Sequence, residues 1–189
     1  MPYDIRPLTP RRADDFFLFF EHVAFAEHPE WGCDCFCCFF HATSRETWEA
    51  CTRETNKAAA REMIMNGQMR GLLAYDGERP VGWCHYDVIK SLPGVRLFYG
   101  DLASKDDSKA VIACFTIAQG YRNQGIASAL LRHALDDLAA QGIRQVEAYP
   151  VIHNDSQEHN YHGPLRMYLK MGFSLVRQTD KLALVEKTL

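Results

Sequence analysis

The chain has no excess of positive charge. Its 189 residues hold 24 acidic against 21 basic side chains, a formal net charge of −3. Binding that works by neutralising phosphates draws on a basic surplus, so no nucleic-acid partner is expected. No apolar run reaches 18 residues, which argues against a transmembrane helix and a membrane partner. The opening stretch MPYDIRPLTPRRADD is polar where a secretory signal would be apolar. Without an export signal, the seven cysteines, an odd count, read as reduced thiols in a cytoplasm and not as a disulfide framework. No Gly-Lys-Ser/Thr closes a Walker loop, and no three-glycine dinucleotide fingerprint occurs. Internal repeats and low-complexity tracts are also missing.

What is present is ordinary globular usage, 47% hydrophobic and 24% charged, in a length that suits one domain spanning 1–189. Residues 3–8 read as a strand. Thr9-Pro10 opens an amphipathic helix over 10–25, and HPEWGCDCFCCFFH (28–41) reads as an ordered loop. Thr43 and Glu46 have capping-box spacing, predicting one long helix over 44–66. Strands over 72–75 and 81–89 flank the turn signal Asp76-Gly77. Residues 91–109 read as irregular. The apolar run Ala110–Ile117 suits a buried strand, and the face marked by Ile126, Leu130, Leu131, Ala134, Leu135 and Leu138 predicts a helix stopped by Gly142. A strand over 144–151, a His-rich loop over 153–163, a short helix from Pro164 to Gly172 and a hairpin over 173–187 complete the order. This is an α/β pattern around one mixed, mostly antiparallel sheet flanked by helices.

The segment that carries most chemistry is the buried strand, the loop Gln119–Gly125 and the helix from Ile126. Unpaired N–H groups and the positive end of a helix dipole converge there, as an anion site requires. Gly125 and Ala127 let a ligand approach the main chain, and Arg122 adds a positive charge. Backbone physics alone fits an ordinary strand–helix turn equally well.

The motif Arg122-Asn123-Gln124-Gly125-Ile126-Ala127, set after a buried strand, resembles the signature of the GNAT superfamily of N-acetyltransferases. The later run Tyr168-Leu169-Lys170-Met171-Gly172-Phe173 is similar to the family's Tyr-x-x-x-Gly-Phe. Together these marks cover about residues 70–178. The resemblance implies acetyl-CoA as co-substrate, with its pyrophosphate on the N–H groups of Arg122, Asn123, Gln124, Gly125, Ile126, Ala127 and Ser128. It implies that the pantetheine arm pairs with Phe115, Thr116 and Ile117. It also implies Tyr168 as the catalytic group near the coenzyme sulfur, a phenol able to protonate the leaving thiolate. The chain departs from the family in two places. Tyr161 stands where many members have asparagine, and Ala110-Val111 stands where some have a glutamate base.

The base is therefore open among Glu147, His85, Asp101, His153 and ordered water. A route through an acyl-cysteine at Cys114 runs against the inertness of buried thiols. Cys33, Cys35, Cys37, Cys38 and His41 are dense enough for a thiophilic metal. Yet one Cys-x-Cys-x-Cys-Cys run lacks the two separated pairs of a structural zinc site, and Trp31, Phe36, Phe39 and Phe40 suit a packed aromatic loop. No metal site is assigned. By the resemblance, the segment from Trp31 to Cys38, with Cys33 and Cys35, borders the acceptor pocket, and thiols there would respond to oxidation. His153, Asp155, Glu158, His159 and His162 read as a solvated loop. The leading expectation is an N-acetyltransferase that moves acetyl from acetyl-CoA directly to a primary amine of a small molecule or peptide, in a fold whose members often form homodimers. The rival is a non-catalytic module that binds coenzyme A or a thiophilic metal through the cysteine loop.

Overall fold

The computed structural model describes residues 3–28, 34–152 and 160–189. Seven strands form one sheet in the order β1-β2-β3-β4-β5-β7-β6. They span Asp4–Pro7 (β1), Gly71–Asp76 (β2), Arg79–Val88 (β3), Ala110–Ile117 (β4), Gln145–Ala148 (β5), Ser174–Gln178 (β6) and Ala183–Thr188 (β7). Every junction is antiparallel except β4–β5, which is parallel. The sheet is thus mixed and mostly antiparallel, as the pattern of apolar runs indicates.

Helices cover both faces. On one, α5 (Ile126–Ala140) lays Ile126, Leu130, Leu131, Ala134 and Leu138 over Leu72, Ala74, Cys84, Tyr86 and Ile112. The approach is close, since a Cβ on Gly82 would stand 2.9 Å from Ile126 Cγ2. On the other face, α1 (Ala13–Leu18) runs into a π-helical turn, Phe19–Val23, and packs Phe16, Phe17, Phe19 and Phe20 with Phe36 and Trp83. A third cluster joins Phe40, Val95, Val111, Ala113 and Tyr149 under α4 (Pro93–Tyr99). No helix among the described residues is long and apolar enough to cross a membrane.

Three local expectations need correction. The long helix over 44–66 is two helices, α2 (Arg45–Glu49) and α3 (Arg53–Met65). Ser44, not Thr43, caps the first, accepting from the Thr47 N–H at 3.1 Å. The capping box belongs to the second, where Thr52 and Thr55 exchange side-chain-to-backbone bonds and so restart the chain after Ala50. Residues 91–109 are not wholly irregular, because α4 lies within them. Its Pro93-Gly94 start resembles a turn signal, but Pro93 occupies the first turn of a helix, where a missing N–H costs nothing. Gly94 is there because α4 crosses another segment backbone to backbone. A Cβ on it would meet Phe39 O at 2.6 Å and Phe40 Cα at 2.7 Å.

Between these layers two histidines are packed without charge. The rings of His41 and His85 stack with centroids 5.2 Å apart. His41 Nε2 and both ring nitrogens of His85 have no partner among the described residues. Burial pushes His41 down to about 4, and burial with the neighbouring His41 pushes His85 well below the usual histidine value. An unfolded histidine takes up its proton near 6.5, so between about 6.5 and 4 the unfolded chain binds more protons than the folded one. Stability is therefore complete above that window and falls as pH drops through it. Urea titrations at pH 7.5 and 5.0 should show a lower midpoint at the acid value, and His41→Gln should reduce the difference. At neutral pH, Gly94→Ala should cost about 1–3 kcal/mol in the same titration, since the atoms it meets are main chain and cannot rotate away.

Candidate functional site

The site begins where the sheet opens. The β4–β5 ladder holds for three pairs, Ala110↔Val146, Val111↔Glu147 and Ile112↔Ala148, and stops. On its other edge β4 stays paired with β3 as far as Ile117↔Gly82. The register slips between His85↔Cys114 and Tyr86↔Ile112, which leaves Ala113 as the extra residue of a β-bulge. Beyond that bulge, Cys114, Phe115, Thr116 and Ile117 line a cleft of about 1120 Å³.

At the end of β4 the chain turns left-handed twice, at Asn123 (φ 61°) and Gly125 (φ 84°), and enters α5. Gly125 is the N-cap, and no side chain caps the helix. Nor is there an acidic residue in the first turn of α5. The first N–H groups of a 15-residue helix thus face the cleft with their dipole charge uncompensated. Arg122 Nε donates to Ile117 O at 3.1 Å and ties the loop to the strand. Gln124 does not line the cleft. Its amide braces the loop instead, donating to Gly120 O at 2.8 Å and accepting from the Tyr3 hydroxyl at 2.6 Å. The other expected coenzyme residues (Phe115, Thr116, Ile117, Arg122, Asn123, Gly125, Ile126, Ala127 and Ser128) all lie on its wall.

The opposite wall comes from α6 (Leu165–Lys170) and the turn before it. Arg166 and Lys170, one helical turn apart, add two exposed positive charges. Neither is paired with a carboxylate among the described residues. Nothing in the sequence singled them out, because a charged pair at i, i+4 is the usual solvent face of a helix. Gly163 allows this wall to close on β4, since a Cβ there would stand 3.2 Å from the Phe115 ring. The far end is aromatic and thiol-rich, built from Phe20, Phe25, Phe39, Phe40, Tyr161, Cys35, Cys37 and Cys114. No aspartate or glutamate lines the cleft among the described residues. The walls fit a long polyanion with an apolar tail: N–H donors and three cations at one end, a strand edge in the middle and aromatic rings at the other.

The remaining expected residues fall as follows. Tyr168 is fully buried, its hydroxyl donating to His162 O at 2.8 Å and its ring 6.5 Å from that of Phe115. It is held protonated by burial and is not on the cleft wall. Glu147 is also buried and off the wall, with Oε1 accepting from the Tyr149 hydroxyl and burial raising its carboxyl. His85 lies beneath the Trp83 side of the sheet, while Asp101 is exposed on the turn after α4. Cys35 lines the cleft. Trp31, Cys33, His153, Asp155, Glu158 and His159 lie outside the described residues. No group of three or more His, Cys, Asp or Glu side chains among the described residues is arranged to hold a metal ion.

Comparison with known proteins agrees with this geometry. The PaiA N-acetyltransferase of Thermoplasma acidophilum, solved with coenzyme A, superposes with a TM-score of 0.60 at 18% identity over 100% of both chains. The GNAT domain of S. lividans PAT gives 0.61 at 18% identity over 99% of this chain and 90% of that one. The NatC complex bound to Gag peptide and CoA gives 0.58 at 13% identity over 100% of this chain and 99% of that one. At such identities these structures speak for the fold. No curated protein matches the chain in sequence. The profile of the acetyltransferase (GNAT) family matches residues 30–173, a span that holds both sequence motifs, and the chain belongs to that family of acetyltransferases.

Proposed function

We propose that the protein is an N-acetyltransferase that carries an acetyl group from acetyl-CoA to a primary amine of a small molecule or peptide, by direct transfer. The observation that carries this reading is the half-paired β4 ending in an uncapped helix N-terminus, inside one continuous cleft. When bound, acetyl-CoA supplies an activated acetyl group as a thioester. The chain's own residues bind and orient it. N–H groups from Arg122 to Ser128 hold the pyrophosphate, and the free edge of Phe115–Ile117 pairs with the pantetheine arm, aiming the thioester toward Cys114 and Tyr161. The aromatic end, without a carboxylate, suits an amine with an apolar body better than a polyamine. The described cysteines are all unpaired, which suits a reducing compartment.

With neither carboxylate nor histidine on the wall among the described residues, the acceptor ammonium gives up its proton through ordered water. The leaving thiolate takes its proton from Tyr168, which lies behind Phe115 and would turn from the His162 carbonyl to do so. Tyr161 is the other phenol at hand. It is on the wall and pushed up to about 12 by burial.

The direct assay follows free thiol released from acetyl-CoA against a panel of primary amines, with release dependent on the amine. In that assay Tyr168→Phe should lower kcat by about 100-fold with KM nearly unchanged, and Tyr161→Phe should cost only a few-fold. The reverse order would move the proton donor to Tyr161. The charges on α6 predict a different signature. Arg166→Ala with Lys170→Ala should raise KM for acetyl-CoA about tenfold with kcat nearly unchanged, and should flatten its dependence on salt.

A further inference from the structure

The cysteine loop does more than fill space. Cys35 and Cys37, from the loop, share the cleft wall with Cys114 of β4. Cys37 is at the centre, and both Cys35 and Cys114 are near enough to push its thiol up beyond what burial does. Its sulfur also accepts the Trp83 indole N–H at 3.0 Å. The chain is bent to bring this about. Cys38 N–H donates to Cys35 O at 2.7 Å across a tight turn, with Phe36 (φ 37°) and Cys37 (φ 58°) both left-handed. Two successive side-chain-bearing residues there are strained, and such strain persists only where the surroundings over-determine it. They do so here. The Phe36 ring is fully buried, Asn56 Nδ2 donates to Asp34 O at 2.8 Å, and Cys38 Sγ donates to Asn56 O at 3.3 Å.

The turn makes two neighbouring thiols chemically unlike. Hydrogen bonds from the Cys37 thiol and from backbone N–H groups bring Cys35 down to about 7, while burial pushes Cys37 up. Cys35 is half-buried and faces the cleft. A half-buried thiol that loses its proton near neutral pH and faces a cleft, beside a thiol that keeps its proton, is the arrangement of a sulfur that is oxidised and then resolved. Residues two apart within a tight turn also keep their Cα atoms inside the ~4.4–6.8 Å that a disulfide spans.

We propose that Cys35 and Cys37 form a peroxide-reactive dithiol on the wall of the cleft, at its acetyl end, that is oxidised to a Cys35–Cys37 disulfide. The Cys35 thiolate attacks one peroxide oxygen. The O–O bond breaks, and the leaving oxygen takes up a proton to depart as water, or as an alcohol from an organic hydroperoxide. Cys35 is then a sulfenic acid. The Cys37 sulfur displaces its hydroxyl, the S–O bond breaks, and a second water leaves with the Cys37 proton. Two thiols lose two electrons in all and the peroxide gains them. Only the placing of that dithiol at the acetyl end rests on the acetyltransferase reading.

Cys51, exposed just after α2 and donating to Thr47 O at 3.2 Å, is an internal reference. The full chain is treated with one equivalent of hydrogen peroxide, quenched with iodoacetamide and mapped by peptide mass. A Cys35–Cys37 link formed before Cys51 is modified, and reversed by dithiothreitol, is the expected result. In Cys37→Ser the oxidation should stop at a Cys35 adduct of dimedone, and the wild-type map decides the matter should that variant not fold. Modification of Cys51 first, or a link from Cys35 to Cys33 or Cys114 instead, would overturn the dithiol. Desulfo-coenzyme A, which has no thiol, should slow Cys35 oxidation at least fivefold and leave the Cys51 rate unchanged. Rapid Cys35–Cys37 oxidation without that protection would overturn the placing of the dithiol beside the coenzyme, and leave the dithiol standing.

Discussion

Everything at this site depends on β4 having, among the described residues, a strand on one edge only over its second half. A strand in the middle of a sheet satisfies its N–H and C=O groups on both sides, and leaving one side open inside a fold is costly. Here the parallel ladder ends at Ile112↔Ala148, and the bulge at Ala113 follows at once. The opening must be kept from collapsing. α5 does this from one face, seated against Gly82, and Gly163 sets how near the α6 wall can come to Phe115. In the proposed function the pantetheine arm is the missing strand, so ligand binding completes a sheet that folding leaves unfinished.

The cleft is chemically graded along its length, and the grading matches how the chain supplies each part. The cationic end is made by one continuous stretch, the end of β4, the loop and the first turn of α5, with Arg166 and Lys170 opposite. Fixed N–H groups and surface cations act together there, and neither needs to be desolvated to work. The other end is assembled from the π-helical turn after α1, the Cys35–Phe40 segment, the bulged strand and Tyr161. In the proposed function its rings exclude water around the reacting atoms, where a low dielectric strengthens every dipole aimed at them.

That difference explains what could be read in the sequence. β4, its loop and α5 are local features: an apolar run, a glycine loop and a 3.6-residue period, each set by neighbours in the chain. They were legible to the residue, with Gln124 the exception because its side chain bonds across to Tyr3. α4 was not legible. Pro93-Gly94 has the composition of a turn, and the reason for Gly94 is a backbone 55 positions earlier, at Phe39. The break between α2 and α3 was missed for a similar reason: two caps eight residues apart, Ser44 and Thr52, compete with a continuous helical pattern. The aromatic wall and the meeting of Cys37 with Cys114 depend on contacts between remote segments, for which no spacing rule exists.

The same division says how the protein's chemistry can vary. The coenzyme end relies on main-chain N–H groups, and side chains there mostly brace the loop, as Arg122 and Gln124 do. The acceptor end is defined by side chains on a segment clamped between two helices, Asn56 of α3 on one side and Gly94 of α4 on the other. In the proposed function a substitution on that segment would change which amine fits without touching the cradle. A substitution at either clamp moves the whole wall at once, thiols and rings together, because the strained turn at Phe36–Cys37 has no local preference of its own to fall back on.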